Sequence, residues 1–142
     1  MKTLTVQLHN VQVRRQALRA IPGWAGVIML CPPNLRWYWH NEVRRWRPDF
    51  RPVVLEGRGA FRWPEPTECI ILSYSSLWNP EAEGYLTNSF PLGPYYLIAE
   101  DEAHMYKTSK RARNLFILAS WIRIHGGWTF GLTGTATKKV VQ

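Results

Sequence analysis

The sequence predicts an α/β fold in three layers, a mostly parallel sheet flanked by helices. Three observations carry that expectation. Short, almost wholly apolar runs occur at Val27–Cys31, Cys69–Ser73 and Tyr95–Ala99, and strands buried on both faces read this way in parallel sheets. Segments with helical periodicity lie between or after them, at 34–47 and 108–125, and strand–helix alternation is the signature of crossover-connected parallel strands. The chain of 142 residues, 46% hydrophobic and 20% charged, is one domain's worth and can bury a core.

Taken in order, Thr3–His9 alternates strictly, with Leu4, Val6 and Leu8 on one face, the pattern of a half-buried strand. Arg14 to Ile21 reads as a short basic helix that stops before Pro22-Gly23. Val27–Cys31 is a buried strand broken by Pro32-Pro33-Asn34. Asn34 is placed to cap the next helix, whose apolar stripe is Leu35, Trp39, Val43 and Trp46, with Arg36, Arg44, Arg45 and Arg47 mostly off it. Pro48 ends that helix. Pro52–Leu55 is a short strand, Gly57–Pro66 a loop rich in Gly, Pro and Arg, and Cys69–Ser73 the next strand. Asn79–Pro94 is a connection long enough to suggest function or mobility. Tyr95–Ala99 is a strand bounded by Gly93-Pro94. A helix capped by Thr108 or Ser109 then carries Ala112, Leu115, Ala119 and Ile122 on one face and is stopped by Gly126-Gly127. Trp128–Leu132 is the last strand.

Lys and Arg outnumber Asp and Glu by 18 to 10, a formal charge of +8, which suits an anionic partner such as nucleic acid or nucleotide and also serves solubility. No apolar run approaches the roughly 20 residues of a membrane span, and the N-terminus lacks a signal peptide's apolar region. The expectation is a cytoplasmic protein with no membrane partner. Cys31 and Cys69 sit at the ends of apolar runs, as reduced core thiols would. The four histidines form no ligand pattern. Most of the eight tryptophans are expected in the core or on helix faces, exposed ones being available to stack on bases.

The chemistry gathers after the third apolar run, at Asp101-Glu102-Ala103-His104. Adjacent carboxylates at the C-terminal end of a buried strand lie where open α/β sheets bind ligands. In a nucleotide hydrolase, Asp101 would hold Mg²⁺ and Glu102 would orient or deprotonate the attacking water. Four residues alone read better as a solvated acidic turn after the strand. Their company is more specific: Cys31-Pro32-Pro33-Asn34-Leu35 with Trp39, Glu42 and Trp46; Ile71–Leu77; Asp101–His104 followed by Lys107 and Lys110; and Leu132-Thr133-Gly134-Thr135. In that order, each at a predicted strand end, these resemble motifs Ia, Ib, II and III of the first RecA-like lobe of superfamily-two helicase-like ATPases, and of the Swi/Snf-type DNA translocases in particular. The resemblance runs from Val27 to Lys139.

The resemblance implies a partial RecA-like P-loop NTPase lobe over residues 24–142, with 1–23 supplying a strand and helix in the place of the phosphate-loop region. It implies ATP and Mg²⁺ as cofactors. Asp101 and Glu102 would be catalytic, Asp101 also the metal ligand, with His104, Thr133 and Thr135 at the nucleotide. DNA would be the partner, with Pro33, Asn34, Leu35, Ser73, Tyr74, Lys107 and Lys110 along its track. Asn34 reads equally as a helix cap, Trp39 and Trp46 as core, and Thr133 and Thr135 as turn residues satisfying their own backbone.

The sequence also departs from the family. No G-x-x-x-x-G-K-[ST] occurs within it. Val13-Arg14-Arg15 stands where that loop's Gly-Lys-Thr would be, able to offer charge without the N–H cradle. Ala136 replaces the family's usual proline, and the second lobe with its arginine finger is not present. The family function is DNA-dependent ATP hydrolysis, and this chain is expected to be inactive alone, completed by a second polypeptide that carries the phosphate loop and second lobe. The alternatives are a non-catalytic nucleic-acid-binding module or a subunit docking onto a helicase lobe. A further expectation is that a missing central strand leaves backbone edges exposed and that Leu4–Leu8 pairs into or beside the sheet in its place, Thr5 and Gln7 favouring an edge or a partner interface over a position buried on both faces.

Overall fold

The computed structural model describes residues 12–57, 60–77, 95–100 and 109–132, with side chains of the last segment from residue 113 onward. Helix α1 (residues 12–19) precedes strand β1 (Gly26–Cys31). A 3₁₀ turn (Pro33–Leu35) runs into α2 (Arg36–Trp46), followed by β2 (Arg51–Val54) and β3 (Glu68–Ser73). A second 3₁₀ turn (Tyr74–Leu77), β4 (Tyr95–Glu100), α3 (Ser109–Ile124) and β5 (Trp128–Leu132) complete the order.

The five strands form one sheet in the order β2-β3-β1-β4-β5, every pair parallel. The apolar runs explain which strands are central. Every residue of β1 and β3 is buried, so their side chains are apolar except at the ends of β3, where Glu68 and Ser73 find hydrogen-bond partners, whereas β2 and β5 at the edges are partly exposed. Alternation then divides the side chains between two cores. Ile28, Leu30, Ile70, Leu72, Leu97 and Ala99 face Leu115, Leu118, Trp121 and Ile122 of α3. Val27, Met29, Cys31, Cys69, Ile71 and Ile98 face Ala17 and Leu18 of α1, Ile21, and Trp39 and Val43 of α2. Three layers, α1 with α2, sheet, and α3, result as expected, and the sheet is wholly parallel.

Several expectations are corrected. Asn34 caps nothing: it is exposed within the 3₁₀ turn, and no side-chain cap bond forms at either start. The turn satisfies the first donors itself, Leu35 N–H to Pro32 O at 2.9 Å and Arg36 N–H to Pro33 O, as 3₁₀ geometry allows. Trp46 is not core. Lying on the flank of α2, it is 37% exposed, with the Arg15 and Arg45 guanidinium carbons 4.2 and 5.1 Å from its ring centroid. Of the seven tryptophans described, Trp39, Trp63 and Trp121 are buried, and Trp24, Trp37, Trp46 and Trp128 are exposed. The loop before β3 supplies core: Phe61 and Trp63 are buried, and the Trp63 ring lies 4.9 Å from Tyr95 and 4.8 Å from Trp121.

The five strands also leave no gap between them, because β1 pairs directly with both β3 and β4. The free edges of the described sheet are those of β2 and β5. Residues 3–9, and the connection 79–94, lie outside the described residues. The stop after α3 is as expected. Gly126 has φ +85°, and a Cβ on Gly127 would lie 2.1 Å from the Tyr95 carbonyl oxygen, so that approach requires glycine.

Candidate functional site at the carboxyl edge of the sheet

Parallel pairing brings every strand's C-terminal end to one edge, the edge at which open α/β sheets bind ligands. Cys31 and Ser73 are register partners, so the Pro33–Leu35 turn and the Ser73-Tyr74 step leave the sheet side by side. Pro33 and Asn34 are exposed and Leu35 is half-buried. Ser73 Oγ lies 2.9 Å from Ser75 Oγ. Tyr74 is buried, and its hydroxyl donates to the Glu100 carbonyl. Of the proposed track, Pro33 and Asn34 thus offer surface, while Tyr74 ties β3 to the end of β4. Lys110 falls in the first turn of α3. Asp101, Glu102, His104, Lys107, Thr133 and Thr135 lie outside the described residues. The residues just before them, Glu100 and Leu132, are register partners on β4 and β5.

The residue that organises this edge is Glu100. It ends β4 and is 5% exposed. A carboxylate this buried needs partners, and two helices supply them. Arg14 on α1 grips it with two bonds, Nε to Oε1 at 3.0 Å and a second from Nη2 to Oε2. Trp39 on α2, fully buried, donates its indole N–H to Oε1 at 2.7 Å. The Arg14 guanidinium carbon also lies 4.8 Å from the Tyr38 ring centroid and 5.8 Å from that of Trp39. Burial works against the Arg14 charge, but the hydrogen bond and charge of Glu100 outweigh it, so the Arg14 pKa is raised. Beside this group the Cys31 thiol is pushed up to about 12, chiefly by burial and then by the Glu100 charge. Burial raises Cys69 as well. Both thiols are free and buried.

Sequence reasoning placed Arg14 near a phosphate and overlooked Glu100. The available signal was an acid closing an otherwise apolar strand, a position that demands a cationic partner. Arg47, read as a surface residue off the stripe, also has a structural task. Its Nη1 donates to the carbonyls of Leu18 and Ile21 at 2.6 and 2.5 Å, capping the chain as it leaves α1, while Asp49 accepts from Nε and Nη2. Among the described residues no group of three or more His, Cys, Asp or Glu could hold a metal ion. Glu100 itself is engaged at both oxygens.

The parallel sheet with helices on both faces is an α/β fold consistent with the RecA-like architecture. No family model matches the chain, and no curated protein matches it in sequence. In structure it is similar to the Sulfolobus solfataricus SWI2/SNF2 ATPase core solved in complex with dsDNA, with a TM-score of 0.57 and 16% identity, over 89% of this chain and 25% of that one. The chain therefore spans about a quarter of that neighbour's length. At this identity the likeness shows the fold. No helix among the described residues is long and apolar enough to cross a membrane.

Proposed function

We propose that this chain is a RecA-like lobe of a Swi/Snf-type, DNA-dependent ATPase, contributing a DNA track and the acid pair Asp101-Glu102, and hydrolysing ATP negligibly by itself. The observation that carries this reading is the fold likeness to a SWI2/SNF2 ATPase core, combined with four motif-bearing strand ends, β1, β3, β4 and β5, on one parallel edge. Asp101 would hold Mg²⁺ bound with ATP, the metal neutralising charge on the phosphates, and Glu102 would orient the water. His104, Thr133 and Thr135 would line the nucleotide. Pro33, Asn34, Leu35, Ser73, Tyr74, Lys107 and Lys110 would follow the DNA strand, Tyr74 acting through its bond to the end of β4.

Low intrinsic turnover has a structural support. Arg14, which stands in the sequence where the resemblance would put the phosphate-loop lysine, is held by Glu100. Phosphoryl transfer depends on positioned positive charge, and an arginine finger alone accounts for roughly 10³–10⁵ in rate where it has been measured. A second polypeptide would supply the phosphate loop and the finger. Phosphate release from the wild type and Glu102→Gln, with and without duplex DNA, tests this. Both proteins are expected at background. DNA-stimulated turnover that vanishes in Glu102→Gln would overturn the claim of inactivity alone.

A further inference from the structure

We propose that Arg14 and the Trp39 indole N–H form an oxyanion-binding site that Glu100 occupies as an internal plug, and that a phosphate group displaces the carboxylate to bind there. The donors are arranged for an oxyanion. Two guanidinium N–H groups and one indole N–H converge on the two Glu100 oxygens, the forked geometry by which arginine takes carboxylate and phosphate alike. The site is built rather than superficial, since Trp39 is fully buried and the Tyr38 and Trp39 rings flank the guanidinium. It has a way in: the Arg14 side chain keeps 19% exposure while Glu100 keeps 6%.

The plug is attached to the surrounding edge. Glu100 directly precedes Asp101-Glu102, and its carbonyl receives the Tyr74 hydroxyl. Withdrawing its side chain from Arg14 would bear on the residues to which the nucleotide chemistry is assigned above. In this one respect the inference rests on the proposed function. The oxyanion site itself rests on Arg14, Trp39 and Glu100 alone.

The probe is inorganic pyrophosphate, which carries neither base nor DNA and so separates this site from the ATPase reading. Calorimetric titration should show weak binding to the wild type, where an internal carboxylate competes. Glu100→Gln keeps the side chain's shape and removes its charge, and should bind about tenfold more tightly. The gain should vanish in Arg14→Ala/Glu100→Gln and persist in Arg19→Ala/Glu100→Gln, since Arg19 is an exposed cation on the same helix. If Glu100→Gln does not melt cooperatively, Glu100→Asp, which keeps the charge but shortens the reach, is judged by the same criterion. No gain in a folded variant would overturn the proposal. So would a gain that survives loss of Arg14, or one that disappears with Arg19.

Discussion

At the level of single residues, Glu100 is held so tightly that its partners become vulnerable without it. Arg14→Ala leaves a buried carboxylate with one fewer charged donor, and breaking such a pair costs roughly 3–5 kcal/mol when both groups are buried. Arg14 keeps 19% exposure, so the lower end of that range, about 3 kcal/mol, is expected in urea unfolding. Arg14→Met/Glu100→Leu, which removes both charges, should cost less than either alanine substitution alone. If the double variant instead costs the sum of two independent losses, the two side chains are not a pair. Gly127→Ala should also be severe, because its Cβ would overlap the Tyr95 carbonyl, whereas Gly126→Ala at φ +85° should cost only about 1–2 kcal/mol. Neither the Arg14–Glu100 pair nor the approach of Gly127 to Tyr95 was legible in the sequence as a contact. The acid at the end of an apolar strand was visible, but its partner comes from 86 residues away, a separation no local pattern encodes.

Individual elements reveal a clearer correspondence between pattern and structure. The centre of the sheet was readable because β1, β3 and β4 are short apolar runs, and the helices because α2 and α3 carry periodic apolar positions. The segment before β3 is a loop, as its Gly and Pro content indicated, but that content gave no sign that it would send Phe61 and Trp63 into the core. That loop also sets an electrostatic lock at the amino end of β3. Arg62 holds both carboxylate oxygens of Glu68 at 2.7 Å, Arg51 lies 3.4 Å away, and the Glu65 N–H donates at 2.9 Å. The Arg62 hydrogen bond is the main reason that the Glu68 pKa is lowered, against the opposing effect of burial. A lowered folded-state pKa means that this contribution is present above the ordinary carboxylate value and is lost as pH falls through the lower, folded one. Urea midpoints should therefore decline on acidification below about pH 4.5, and Glu68→Gln should flatten that decline. An unchanged acid limb in the variant would remove Glu68 from the account. The two thiols provide a probe of the same core: Cys31 and Cys69 should resist a thiol reagent at neutral pH until the protein unfolds.

For the whole molecule, composition foretold the broad class, and the order of strand-end motifs foretold the fold later matched by the structural neighbour. What composition and pattern left unread is how the edge is wired. The excess of cations, 18 against 10 acids, says only that an anion is favoured, whereas the structure commits particular arginines elsewhere: Arg14 to Glu100, Arg47 to carbonyls around the end of α1, and Arg62 to Glu68. Under the proposed function, nucleic acid would rely on the remaining charge, and affinity should fall steeply with salt, by about 0.9 in log–log slope for each phosphate neutralised on duplex DNA.

Duplex binding by wild type, Asn34→Ala and Lys110→Ala, followed by fluorescence anisotropy across a salt series, bears most directly on the central claim of a DNA-tracking lobe. Asn34 is exposed and makes no capping bond, so its loss should affect binding without affecting stability. The account predicts sequence-tolerant binding that weakens with salt, a loss of roughly 2–10-fold for Asn34→Ala, as one contact of typical strength would give, and a shallower salt dependence for Lys110→Ala. Wild-type affinity in both variants at every salt concentration, or binding indifferent to salt, would contradict it.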